Sequence, residues 1–129
     1  MRILITGSRN WGDDVTIIKA LHEAIASWGI KPGSDEEIII VHGGATGADA
    51  IAKRWALSKK LFGEHIRDEP HPAKWGVQGT AAGPIRNQEM IDAGADICLA
   101  FPLGESPGTR DCMRRAKKAG IPVINYGDQ

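Results

Sequence analysis

Residues 38–49 read IIIVHGGATGAD, and this stretch decides the expected fold. Four consecutive β-branched residues predict a strand that is buried on both faces, as in a parallel sheet. The glycines after it predict a tight loop, and residues 48–61 continue as a helical pattern. A strand, a glycine loop and a helix in this order form the building unit of α/β proteins.

The same order recurs along the chain. Three other apolar, β-prone runs predict strands, at residues 3–5, 97–101 and 123–125, and residues 64–67 are expected to form a short additional strand. Three further helical patterns end at a glycine, at Gly29, Gly94 and Gly120. The alternation predicts a Rossmann-like three-layer α/β/α fold with a mainly parallel five-stranded sheet, as a single domain over residues 1–129.

The longest irregular segment is expected in the second half of the chain. Residues 68–83 are rich in proline and glycine, and they predict a long loop. Pro84 suits the first turn of a helix that runs to residue 93, and a last helix is predicted over residues 109–119.

The four tryptophans differ in their sequence surroundings. Trp28 and Trp55 fall on the apolar faces of helical patterns and are expected in the core. Trp11 and Trp75 lie beside loops, where an indole either anchors the loop or stacks on a base. His42 is expected to make structural hydrogen bonds rather than bind a metal, because no second ligand lies at metal spacing.

Composition and charge narrow the expected partners. Lys plus Arg and Asp plus Glu each number 16, so no overall field draws the chain to nucleic acid or to an anionic membrane. Cys98 and Cys112 have no metal-type spacing, which favours a reduced, cytoplasmic setting. Neither a signal peptide nor a membrane span of about 20 apolar residues is indicated. No metal and no cofactor is expected.

Three of the expected strands end in loops rich in glycine and hydroxyl side chains, at residues 6–9, 42–49 and 101–109. Tight turns alone would explain each loop separately, but ligands of open parallel sheets bind beyond the carboxyl ends of the strands, where all three loops meet. Glycine lets the backbone approach a phosphate, and amides at a helix N-terminus point at an anion. The expected ligand-binding residues in these loops are Gly7, Ser8, Arg9, Gly43, Gly44, Thr46, Gly47, Asp49, Pro102, Gly104, Gly108 and Thr109.

Two of these residues have specific expected roles. Arg9 can pair bidentately with phosphate. Asp49 lies in the first turn of a helix, where it either complements the helix dipole or accepts a hydrogen bond from a ribose hydroxyl. The strict dinucleotide fingerprint and the lysine-containing P-loop are both absent from the sequence, so an ordinary dehydrogenase or ATPase is not supported.

Four segments in combination resemble the YspA-like branch of the SLOG superfamily: GSR at 7–9, VHGGATGAD at 41–49, AGPIRNQEM at 82–90 and FP at 101–102. The resemblance extends over residues 2–123. SLOG domains are Rossmann-like, and the superfamily includes DprA-type DNA-processing proteins, lonely-guy phosphoribohydrolases and sensors of nucleotide-derived signals. The resemblance implies a nucleotide derivative as ligand, places Arg86 and Asn87 at the site, and makes a homo-oligomer plausible.

The resemblance also raises the question of catalysis. Arg86 and Met90 are similar in spacing to an arginine and a methionine of the phosphoribohydrolases, and residues 102–109 loosely match their Pro-Gly-Gly-x-Gly-Thr loop. In this chain Asp111 replaces one glutamate of that family, and Cys112 occupies the place of the next, which is usually assigned to catalysis. Arg86 and Asp111 are the catalytic candidates, with Glu105 as the other available carboxylate. Asp111 equally fits a structural role at its helix N-terminus.

The leading interpretation is a sensor or binding domain for a phosphate-bearing nucleotide or nucleotide derivative at the carboxyl edge of the sheet. An N-glycosidase that acts on nucleoside monophosphates is the alternative, because a carboxylate beside the sugar helps an oxocarbenium-like transition state. DprA-like DNA binding by the basic last helix is a further alternative, and the zero net charge weighs against it.

Overall fold

A computed structural model describes residues 1–127. Five strands form one sheet: β1 (Arg2–Gly7), β2 (Ile38–His42), β3 (Ile66–Pro70), β4 (Ile97–Phe101) and β5 (Val123–Asn125). Their order is β3-β2-β1-β4-β5, and every neighbouring pair is parallel. The helices are α1 (Asp14–Ser27), α2 (Ala48–Leu61), α3 (Trp75–Gln78), α4 (Ala82–Ala93) and α5 (Pro107–Lys118).

The helices cover both faces of the sheet, because side chains alternate along each strand. Ile3 and Ile5 of β1 pack in one core cluster with apolar residues of α1 and α2, whereas Leu4 packs in a second cluster with residues of α4 and α5. The Rossmann-like α/β/α prediction is therefore confirmed, with a wholly parallel sheet. Within residues 1–127 no helix is long and apolar enough to cross a membrane.

The predicted segment boundaries are wrong in three places. β3 begins at Ile66 and continues to Pro70, so it extends into the expected loop. The rest of that segment holds α3, a 3-10 turn over Gly79–Ala81 and the first residues of α4. The last helix begins at Pro107, two residues earlier than expected, because proline is well suited to the first helical turn.

The tryptophans are placed in three different environments. Trp55 is buried as predicted, but Trp28 is 51% exposed, because α1 ends at Ser27 and Trp28 is its C-cap. Trp11 is an anchor: its ring meets Phe101 edge-on at 5.2 Å between centroids, and its indole N–H donates to the Asp13 carbonyl. Trp75 is half-exposed.

Candidate functional site

A cavity of about 630 Å³ lies at the carboxyl ends of β1 and β4, between the first turns of α2, α4 and α5. Its volume is in the range of small-molecule sites. The amino-terminal ends of three helices meet there, so their partial positive charges favour an anion. The predicted site residues that line it are Gly7, Ser8, Arg9, Asp49, Arg86, Asn87, Gly108, Thr109 and Asp111.

Other predicted site residues do not line this cavity: Gly43, Gly44, Thr46, Gly47, Pro102, Gly104 and the alternative carboxylate Glu105. Pro102 is fully buried, and the Gly104 carbonyl accepts a hydrogen bond of 2.6 Å from Arg110. Gly43, Gly44 and Gly47 belong to the loop after β2, whose conformation they allow, but they do not line the cavity.

Two glycines allow the first two loops to pack directly on each other. Gly47 has a φ of +72°, and a Cβ there would collide with the backbone of Ser8 and Arg9. A Cβ on Gly7 would collide with Ala48 and crowd Phe101. The Ala48 amide donates to the Ser8 carbonyl at 3.3 Å, and the Ser8 amide donates to the Phe101 carbonyl at 2.9 Å. Loop-to-loop packing therefore explains Gly47 without a ligand.

Asp49 is the most unusual polar group of the cavity. It is 6% exposed, and its Oδ2 accepts hydrogen bonds from the amides of Gly43 at 3.1 Å and Ala45 at 3.3 Å. Its Oδ1 is buried and has no hydrogen-bond partner within residues 1–127. Burial raises the pKa of Asp49 above its ordinary value, against the opposing effect of nearby His42. A buried acceptor left without a partner is costly, so Oδ1 is suited to a donor group from outside the chain.

Arg86 holds the second loop in place. Its Nη1 donates to the Gly43 carbonyl at 2.7 Å, and its Nε donates to Asn87 Oδ1 at 3.1 Å. A Cβ on Gly43 would overlap the guanidinium, so a larger residue there would require Arg86 to move. Arg86 thus lines the cavity while it positions the loop.

Asp111 lies at the cavity wall but is held by three neighbours. Its Oδ2 accepts from Asn87 Nδ2 at 3.0 Å and from Arg115 Nε at 2.8 Å, and Arg114 lies 3.8 Å from its other oxygen. Burial raises the pKa of Asp111, but the hydrogen bonds from Arg115 and Asn87 outweigh burial and hold the pKa below its ordinary value. Cys112 is fully buried in the second core cluster and does not line the cavity.

We call the exposed part of the cavity wall the mouth: it consists of Arg9, from the first predicted loop, and Trp75, which lies outside the three loops. Arg9 Cζ lies 5.8 Å from the centroid of the Trp75 ring. A Cβ on Gly83 would be 3.2 Å from the same ring, so the indole lies against the start of α4. Further lining residues that the loop pattern did not identify are Asn10, Thr80, Gly83, Pro84, Leu103 and Ser106. The run AGP at 82–84, which begins a helix, was the available signal for part of this set.

Both ring nitrogens of His42 take part in hydrogen bonds. The Gly44 amide donates to its Nδ1 at 2.9 Å, so the ring proton belongs on Nε2, which lies 2.5 Å from Asp68 Oδ1. Within residues 1–127 there is no group of three or more His, Cys, Asp or Glu side chains arranged to hold a metal ion.

A second cavity, of about 680 Å³, lies at the opposite edge of the sheet. Its walls come from the carboxyl-terminal ends of α1 and α2 and from the starts of β2 and β3. Helix carboxyl ends carry partial negative charge, so this cavity lacks the helix amino termini that favour an anion in the first one.

Comparison with known proteins agrees with this architecture. A family model described as the YspA, cpYpsA-related SLOG family matches residues 1–75. The chain belongs to this SLOG family. The matched part includes β1, β2 and the two loops that follow them.

Two individual proteins are similar over nearly the full chain. The Gene 61 protein of Mycobacterium phage D29 is 52% identical over 128 residues, which are 99% of this chain and 98% of that protein. The C-terminal domain of a hydrogenase from Pyrococcus furiosus is 18% identical, with a TM-score of 0.39, over 97% of this chain and 90% of that one. A TM-score this low supports no conclusion about function.

Proposed function

We propose that this SLOG domain binds a phosphate-bearing nucleotide or nucleotide derivative, as a sensor or binding domain, in the cavity at the carboxyl edge of its sheet. The observation that carries the proposal is the buried, unpartnered Oδ1 of Asp49, a residue that lines a cavity onto which three helix amino termini converge. One end of such a cavity suits a phosphate, and the buried oxygen suits a sugar hydroxyl.

The phosphate is expected at the first turn of α5. Gly108 and Thr109 are the second and third residues of this helix, so their amides have no partner within it. Ser8 follows β1, the strand next to β4, and it also lines the cavity, where it adds a hydroxyl. The ribose then lies towards Asp49, whose Oδ1 accepts a hydrogen bond from a sugar hydroxyl.

Binding is better supported than N-glycoside hydrolysis. Asp111, which stands near the catalytic position of the phosphoribohydrolases, already accepts hydrogen bonds from Asn87 and Arg115, so its Oδ2 is not free to contact a sugar or a leaving base. Cys112 is buried beneath the wall. DNA binding is also weakly supported, because Arg115 and Arg114, at the basic end of α5, both face Asp111.

Calorimetry with AMP, GMP, cyclic AMP, ADP-ribose and NAD tests the proposal. At least one of these is expected to bind and to raise the melting temperature, more so for a tighter ligand at the same concentration. Asp49→Asn is expected to weaken that binding, while the matched change Asp35→Asn, at a fully exposed carboxylate of the second cavity, leaves it unchanged. Failure of every compound to bind wild-type protein would contradict the proposal.

A further inference from the structure

The mouth of the cavity holds an aromatic ring covered by a cation. Arg9 Cζ lies 5.8 Å from the centroid of the Trp75 ring, within the range of a cation–π contact. Trp75 is 49% exposed although it lines the cavity, and Gly83 supports it from α4. One aromatic surface is therefore presented at the entrance in a supported position.

Arg9 is the movable member of this pair. Its side chain is exposed, and its guanidinium makes no hydrogen bond or ion pair with residues 1–127. A flat ring placed between the indole and the guanidinium needs two stacking distances of about 3.5 Å, or about 7 Å in all. The present distance is shorter than this, so Arg9 has to move outward to admit one aromatic ring.

We propose that the nucleobase of the ligand is sandwiched between the Trp75 indole and the Arg9 guanidinium. This inference rests on the proposed function and adds the part of the ligand that is recognised at the mouth. Arg9 directly follows Ser8, which lines the expected phosphate end, so base and phosphate are held by adjacent residues of one loop. The ligand class is then a nucleotide with an unpaired base, rather than a sugar phosphate alone.

Stacking on an aromatic side chain tolerates any base, because every base has a π-face. Purine nucleotides offer the larger face and are expected to bind more tightly than pyrimidine nucleotides. Arg contributes through its planar guanidinium, which a lysine ammonium cannot reproduce.

The test compares AMP with ribose 5-phosphate by isothermal titration calorimetry, on wild type and four variants. Trp75→Ala is expected to lower AMP affinity about tenfold or more, and to leave ribose 5-phosphate affinity within about twofold. Trp75→Phe retains a π-face and is expected to keep most of the AMP affinity. Arg9→Lys keeps the charge but loses the plane, so AMP affinity falls while ribose 5-phosphate affinity does not. Trp28→Phe, at the exposed tryptophan outside this cavity, is the matched control and changes neither.

Each other outcome is informative. Equal loss of both ligands in Arg9→Lys shows that Arg9 binds the phosphate, and overturns the sandwich. Unchanged AMP affinity in Trp75→Ala also overturns it, while nucleotide binding as such stands. If none of AMP, GMP, cyclic AMP, ADP-ribose and NAD binds wild type, the proposed function and this inference fall together.

Discussion

The side-chain amide of Asn87 donates a 3.0 Å hydrogen bond to the carboxylate of Asp111, and so joins the first half of α4 to α5. The same amide nitrogen donates to the Gly108 carbonyl at 3.1 Å. Because Asn87 is only 4% exposed, this one side chain fixes the spacing of two helix amino termini across the candidate site.

Replacement of Asn87 by alanine is expected to destabilise the fold by about 1–3 kcal/mol, because a buried hydrogen-bond donor that holds two acceptors is lost. Urea unfolding at neutral pH measures the change. Asn10→Ala, at an exposed residue of the same cavity, is the matched control and is expected to cost under about 0.5 kcal/mol. Equal stabilities for the two variants would show that the Asn87 contacts contribute little.

Gly47→Ala is expected to destabilise the protein by at least about 2 kcal/mol, because the positive φ and the nearby Ser8 and Arg9 backbone both oppose a Cβ. Gly12→Ala is the matched control: a Cβ there meets nothing within 4 Å, and φ is not positive. This control is expected to be neutral or slightly stabilising. Thermal or urea unfolding of the pair decides the matter, and a tolerated Gly47→Ala would refute the close loop packing.

Glu69 is expected to make stability depend on pH in the acid range. The Arg2 hydrogen bond, helped by His71, lowers the pKa of Glu69 from 4.5 to about 2. A carboxylate with a lowered folded-state pKa stabilises the fold above its unfolded-state pKa, and this contribution is lost as pH falls from about 4.5 to about 2.

Glu69→Gln should therefore be less stable than wild type at pH 7 and lose less stability than wild type on acidification. Urea unfolding at pH 7 and pH 3 measures both. Glu37→Gln, at an exposed glutamate, is the control for the loss of one charge. If Glu69→Gln and wild type lose the same stability between these pH values, the Arg2–Glu69 pair has no such role.

The protein is expected to release no free base from nucleoside monophosphates. The Oδ2 atom of Asp111 is occupied by hydrogen bonds from Arg115 and Asn87, so it is not free to contact a sugar, and Cys112 does not line the cavity. Chromatography after prolonged incubation with AMP, GMP, CMP and UMP detects any release. Base release that Asp111→Asn abolishes while nucleotide binding persists would establish the N-glycosidase function instead.

The sequence predicted the layers of the fold because most strands are buried on both faces and read as uninterrupted apolar runs. The predicted bounds of β3 were wrong because it is an edge strand in which only Ile66 is buried. The charged residues after Ile66 do not have the pattern of a buried strand. The prediction that Trp28 lies in the core was wrong because the apolar period continues one residue beyond the last turn of α1. A helix as short as α3 has no period to detect.

The candidate site was predictable as an edge of the sheet but not in its interior. Topology alone brings the first and third glycine loops together, because β1 and β4 are neighbours. Which glycine faces a cavity depends on packing: Gly47 serves the backbone of Ser8 and Arg9, and Gly43 makes room for Arg86. The position of Trp75 at the mouth depends on α3, a helix that the sequence pattern did not predict.

The position of β3 at the sheet edge has a consequence for self-association. On its outer side β3 has no strand partner within residues 1–127, so its backbone is available to another chain. Arg67, Asp68 and Glu69 place charges along it, and Pro70 ends it without an N–H. Charged side chains and proline on an edge strand discourage runaway strand addition and fibre growth. Strand addition at the β3 edge is therefore expected to be disfavoured as a route of self-association.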